Sequence, residues 1–339
     1  MFYNFYNPYQ GVGFFSFFKH FFCRMALFFT GQLKLDQLIA DEIQIFVLAG
    51  VAASCALIGT FLVLRRMTML ANSLSHTILM GIVLAFFFTA GKGEDGNSIA
   101  PMQAMLIASL ATGFLTTFVT EFLTKAGGLQ EDASVGLVFT SFFALGVILV
   151  TILTRDAHVG TEAVMGNADA LHADDLFWVY LIFGFNFLLI ILFFKEFQLT
   201  TFDPYLASAL GFSPVFFNYI LMAQVSMTTI TAFRAIGVIL VLAFMTGPVL
   251  TARLFTHRLK YLLALSVAIG ALAVCCGVAM TRHILSTYGM ALSTSGVVVS
   301  TILLFYLLAV CFSPEQGLFA KLFYRNSKNW QRERISSFL

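Results

Sequence analysis

Long apolar runs separated by short polar breaks dominate the chain. Nine of them approach the roughly 20 residues that a helix needs to cross a bilayer core: 44–64, 68–90, 101–123, 133–153, 176–194, 215–233, 236–252, 261–281 and 293–312. The sixth and seventh are joined by a tight turn around Arg234 and Gly237. A tenth stretch, near 11–30, is interrupted by Lys19, His20 and Arg24. It reads equally as an extra span or as an amphipathic helix lying in the interface. The pattern predicts an all-α, polytopic integral membrane protein of about nine transmembrane helices, ten if the first stretch crosses. Residues 1–43 form an N-terminal extension, 44–313 the transmembrane domain, and 314–339 a basic cytoplasmic tail.

Composition supports the same solvent. The chain of 339 residues is 59% apolar and only 11% charged, and Phe occurs 40 times. Soluble domains carry roughly 25% charged residues. Cys23, Cys55, Cys275, Cys276 and Cys311 are an odd set in apolar surroundings with no C-x-x-C pair, which argues against a disulfide framework. The first residues do not read as a signal peptide, because Lys19 and Arg24 interrupt the apolar part and no small-residue cleavage pattern follows. With the Arg65–Arg66 turn in the cytoplasm, alternation puts Lys125, Lys195, Arg253, Arg258, Lys260 and the tail cations on that side. Lys92, Arg155, Arg234 and Arg282 fall outside. This is the positive-inside bias, and it makes the C-terminus cytoplasmic. The outer loops carry acids, among them Asp156, Glu162, Asp169 and Asp175, either as solvated charge or as a surface for cations or a basic partner.

One apolar run holds an unusual polar group. In LANSLSHTILMG (70–81), Met69, Asn72, His76 and Met80 share a helical strip, with Ser75 beside it. Polar residues at membrane depth are costly and point to function. An imidazole, an amide oxygen and a thioether suit a transition-metal ion such as zinc, manganese or iron. The alternative is hydrogen bonding to a neighbouring helix. His76 is the clearest mid-span ionisable group, and the spans hold almost no carboxylates, which weighs against an ion-coupled secondary carrier. An intramembrane enzyme is less favoured still: Ser75 and His76 are adjacent, point about 100° apart, and form no nucleophile–base pair. No G-x-x-x-x-G-K-[ST], H-E-x-x-H or G-x-S-x-G motif occurs.

A second informative stretch is TTFDPYLASALGFSP (200–214), in a cytoplasmic loop by the same topology. Asp203 suits the N-cap, Pro204 the first helical position and Gly211 the residue after the C-cap. The pattern predicts a helix of about two turns whose small residues, Ala207, Ser208, Ala209 and Gly211 with Leu210, seat in a groove on another protein or lie on the membrane surface. Pro248, in FMTGPVLTAR, either breaks the seventh span and frees carbonyls for water or ion, or simply kinks it.

Four stretches together resemble the membrane subunit of bacterial ABC importers for manganese, zinc or iron, the ABC-3 family: FLVLRRMTMLANSLSHTILMGIVLAF (61–86), LQEDASVGLVFTSFFALGVIL (129–149), FDPYLASALGFSPVFFNYILMA (202–223) and AIGVILVLAFMTGPVLTARLF (235–255). FSPEQGL (312–318) is similar as well. The resemblance implies a permease of the bacterial plasma membrane that is not itself an enzyme. Its partners would be cytoplasmic ATPase subunits, an extracytoplasmic metal-binding protein and a second permease subunit, with no nucleic acid. It implies a transported divalent metal ion and no stably bound cofactor. Residues 203–211 become the helix that couples to the ATPases. His76 takes the place of the histidine in the family's Asp-x-x-x-His pattern, where it lines the ion path, and Asn72 stands where the family has the aspartate. Met80 stands where the family usually has proline. An amide oxygen carries no charge, so the site is weaker than an Asp–His pair. Either a partner subunit of a heterodimer keeps the carboxylate, the reading favoured here, or passage needs only a weak site.

Overall fold

The computed structural model describes residues 8–9, 11, 13–31, 37–69, 73, 77, 80–81, 83–84, 102–153 and 168–313. All regular structure among them is helical. In chain order the helices are α1 (Phe14–Phe29), α2 (Ala40–Leu64), α3 (Met102–Lys125), α4 (Glu131–Leu153), α5 (Ala173–Leu192), α6 (Phe194–Phe202), α7 (Pro204–Ala209), α8 (Pro214–Ile236), α9 (Val238–Arg253), α10 (Leu259–Tyr288) and α11 (Thr294–Phe312).

The centre of the bundle is α2. It is apolar on every side and almost wholly buried, as expected of a helix with no solvent or lipid face. Its start is set by Glu42, whose Oε2 accepts from the Ile39 backbone N–H at 3.1 Å. Its end is a closed C-terminal turn. Met67 N–H bonds to Leu62 O at 2.9 Å and Arg66 N–H to Val63 O at 3.2 Å. Arg66 sits there at φ +61°, where glycine is usual, at a cost of about 1 kcal/mol.

Helices α5, α8, α9 and α10 surround α2, and α11 closes over α9 and α10. Lipid tails are as apolar as leucine, so close backbone approach has to hold such helices together. Gly59 provides it: a Cβ there would lie 2.0 Å from the Met245 carbonyl oxygen of α9. On the α3–α8 seam, a Cβ on Gly113 would lie 1.9 Å from Ser226 Oγ.

The chain reverses at Gly237, φ +82°, between α8 and α9. Ser295 Oγ reaches Ile236 O at 3.5 Å, and Ser313 Oγ reaches Leu254 O at 2.5 Å, so α9 and α11 run in the same direction. Pro248 lies within a continuous α9 and is buried; there is no break in the seventh segment.

Six helices among the described residues are long and apolar enough to cross a membrane: Ala40–Leu64, Leu106–Lys125, Asp175–Leu192, Pro214–Phe233, Leu259–Tyr288 and Thr294–Phe312. Ala133–Leu149 and Val238–Arg253 are shorter apolar helices. At 1.5 Å per residue, the 16 residues of α9 span only about 24 Å, less than the usual hydrocarbon core. The expected span 68–90 lies largely outside the described residues, so the expected nine are not all present among them. The stretch near 11–30 holds the 16-residue helix α1, with Phe17 and Phe21 packed inward and Phe15 and Phe22 exposed.

Candidate functional site

The two ends of the bundle differ in charge. One end gathers Arg65, Lys125, Lys195, Arg253, Arg258 and Lys260. The Lys260 ammonium stands 5.7 Å from the Phe194 ring centre, which ties the start of α10 to α6. Lys125 pairs with Glu121 one turn back. The other end gathers acids and their partners. Glu42, itself buried, accepts from Tyr9 Oη at 2.7 Å and from both Nε and Nη2 of Arg24, which fastens α1 to the head of α2. Burial, and then the bond to Glu42, push the Tyr9 phenol well above its usual range. Arg282 meets Asp41 at 3.4 Å. Gln44 Nε2 donates to Ala168 O at 2.7 Å and to Thr294 Oγ1 at 3.2 Å, and the Thr294 hydroxyl donates to Asp169.

At the cation-rich end stands α7. Asp203 Oδ1 accepts from Leu206 N–H at 2.9 Å, and Pro204 occupies the first helical position. Beyond the helix, Phe212 N–H bonds to Ala207 O at 2.9 Å and Gly211 N–H to Ser208 O at 3.1 Å, with Gly211 at φ +88°. Of the six residues only Ala207 is buried. Of the face expected from the sequence, Ser208, Ala209, Leu210 and Gly211 are exposed and Ala207 is not, and further large apolar side chains share that outward surface. Tyr205 is 90% exposed, and Leu206, Leu210, Phe202 and Phe212 are exposed beside it, with Ser208, Ala209 and Gly211 between them. Ala207 alone turns inward, onto the bundle, and the large side chains project with the remaining small residues.

Helix α6, which leads into α7, is a further departure from the expected loop. Phe197 anchors it: its ring lies 5.3 Å from Phe61 of α2 and 5.5 Å from Phe217 of α8. Beside this aromatic contact lies Arg65, the C-cap of α2. Its Nη2 donates to Thr200 Oγ1 at 2.9 Å, its Nε to Thr201 Oγ1 at 3.1 Å and its Nη1 to Asn218 Oδ1 at 3.5 Å. Burial lowers its pKa to about 10, so it remains a cation at neutral pH. Sequence reasoning used Arg65 only to orient the chain. The signal available was two adjacent cations at the end of a wholly apolar run.

Inside the bundle, polar side chains cluster at membrane depth. Asn186 Nδ2 donates to Thr228 Oγ1 at 2.7 Å. Ser54, Thr228 and Thr231 line a cavity of about 10 Å³, the size of one water molecule, together with Val51, Val179, Ile182 and Ala232. Gln224, on the same strip of α8 as Thr228 and Thr231, is buried with its amide unbonded among the described residues. Of the run 70–81, Ser73, Thr77 and Met80 are buried. Thr77 Oγ1 accepts from Thr116 of α3 at 3.3 Å, and Gly146 of α4 packs against the Met80 backbone. Asn72, Ser75 and His76 lie outside the described residues. Among the described residues no group of three His, Cys, Asp or Glu side chains comes together to hold a metal.

A helical bundle buried around one apolar helix, with membrane-length segments and one end rich in cations, defines a multi-pass membrane protein. The chain belongs to the ABC 3 transport family, whose pattern matches residues 41–313. It is 40% identical to a protein of Chlamydia muridarum described as a probable metal transport system membrane protein, over 89% of this chain and 93% of that one. It is 38% identical to the manganese transport system membrane protein MntD of Bacillus subtilis, over 85% of this chain and 96% of that one. Among solved structures it resembles the PsaBC complex of Streptococcus pneumoniae bound to Fab, with a TM-score of 0.69 and 26% identity over 86% of this chain and 97% of the matched one.

Proposed function

We propose that this chain is the permease of an ABC importer that carries a divalent transition metal, manganese first, across the bacterial plasma membrane. The observation that carries the reading is α7: a helix of six residues, capped at both ends, that presents Tyr205, Leu206 and Leu210 outward at the cation-rich end of a bundle of this family. A helix so short does not persist by itself. Its caps and its single buried residue hold it in shape, and its exposed apolar surface gives a partner something to grip.

The cation-rich end is the cytoplasmic one by the positive-inside rule, which puts the C-terminus there too. Separate ATPase subunits dock on α7. Their closure moves α6–α7–α8 and exchanges outward- and inward-open states, since only differential contacts in the two states shift such an equilibrium. An extracytoplasmic binding protein delivers the ion to the acidic end. His76 and Asn72 line the path, with Ser75 and Met80 near it, and a second permease subunit, in a heterodimer, supplies the carboxylate that Asn72 lacks. MntD's description as a manganese transport protein, and the likeness of this chain to it over 96% of its length, support manganese as the first ion to test.

Co-purification of the chain with its ATPase, followed by uptake of radioactive manganese into proteoliposomes, tests the reading. ATP-dependent accumulation is expected. Uptake that continues without nucleotide would place the chain among ion-coupled carriers instead.

A further inference from the structure

We infer that Arg65 is a positioning residue that clamps both stalks of the coupling helix to the core helix α2. The inference rests on α7 being the coupling helix. The two stalks are α6, which enters α7 through the single residue Asp203, and α8, which leaves it after Gly211 and Phe212. The Arg65 guanidinium bonds to both: to Thr200 and Thr201 on α6 and to Asn218 on α8. No other described side chain makes hydrogen bonds to both stalks from α2.

Packing alone does not call for this residue. A leucine or methionine would fill the space without removing a cation from water. A buried charge with no counter-charge is costly, and the three partners here are neutral hydroxyl and amide oxygens. Among the described residues no carboxylate pairs with Arg65. What arginine adds is geometry: a rigid, planar fork with five donors serves three acceptors on two elements together, which the single flexible ammonium of lysine does not do.

The clamp is also anchored at its base. Arg65 emerges from a turn fixed by the Met67-to-Leu62 and Arg66-to-Val63 bonds, at the end of the most buried helix of the bundle. The Phe61–Phe197–Phe217 contact beside it joins the same three helices through apolar surface. Apolar contacts tolerate sliding, whereas three hydrogen bonds to one planar group fix register. A push on α7 is therefore transmitted to α2, and through α2 to the helices packed around it.

The test uses the whole transporter in proteoliposomes with its ATPase subunits and binding protein, and reads manganese moved and ATP hydrolysed in the same sample. Arg65→Met is expected to go on hydrolysing ATP but to move at least tenfold less manganese per ATP. Arg65→Lys should recover only a minor part of that ratio. The double variant Thr200→Val/Thr201→Val keeps side-chain shape and removes two acceptors, and it should lower the ratio at least threefold; it decides the matter if Arg65→Met does not assemble. A wild-type ratio of manganese to ATP in the double variant, or in Arg65→Met, overturns the inference. Tyr205→Ala/Leu210→Ala separates the two readings. If that variant still binds the ATPase at wild-type strength, the coupling reading fails and the clamp with it. If it loses the ATPase while Arg65→Met couples normally, only the clamp fails.

Discussion

Removing both caps of α7 tests whether its shape is set locally. Asp203→Ala deletes the acceptor for Leu206 N–H, a loss of about 1 kcal/mol for a typical N-cap. Gly211→Ala forces a Cβ into a backbone at φ +88°, which costs about 1–2 kcal/mol. Both changes act on one six-residue helix, which is too short to survive by propensity. Their sum, about 2–3 kcal/mol, shifts the helix toward its open form by roughly 30- to 150-fold. The assay is hydrogen exchange of the purified protein in detergent, read by mass spectrometry on a peptide covering 204–213. Protection there should fall by at least tenfold in the double variant, while peptides from α2 exchange at the wild-type rate. Binding of the ATPase should weaken in parallel. Unchanged protection at 204–213 would show that packing on the bundle, and not the caps, holds α7, and the reasoning would be refuted.

Other expectations follow from the same structure. Gly59→Ala places a methyl against the Met245 carbonyl, where no rotamer change relieves it; a loss of about 3 kcal/mol and a lower melting temperature in detergent are expected, and a wild-type melting point would contradict the packing given for α2. Glu42→Gln leaves Arg24 without its counter-charge. About 2 kcal/mol is expected, less than for a fully buried pair because Arg24 is partly exposed, and limited proteolysis should then cut between α1 and α2 faster. His76→Ala should lower manganese uptake at least tenfold while membrane insertion and assembly persist; loss of the inserted protein would instead assign His76 to packing. Asn72→Asp should tighten divalent binding about tenfold by calorimetry, and an unaltered affinity would remove residue 72 from the ion's ligands.

The features legible in the sequence were those decided by neighbours along the chain. Apolar length alone predicted an all-helical membrane bundle, and the Asp203–Pro204–Gly211 spacing predicted α7 with its cap chemistry. The direction of its residues was not legible, because which side of a two-turn helix faces the bundle depends on where α6 and α8 emerge. Ala207 therefore turned inward and Tyr205 outward. Helix α6 was missed because the partners of its anchor Phe197, Phe61 and Phe217, belong to other helices. The part played by Arg65 was hidden for the same reason: its acceptors lie 135 to 153 residues away. Pro248 read as either a break or a packing kink, and the break does not occur: α9 runs through it, held between α2, α10 and α11.

The most direct test of the central claim is simultaneous measurement of ATP hydrolysis and manganese accumulation in proteoliposomes holding this chain, its ATPase and its binding protein. Manganese should accumulate against its gradient only while ATP is hydrolysed, and should stop when the ATPase is inactivated. Accumulation that proceeds at the same rate with an inactive ATPase would contradict the account.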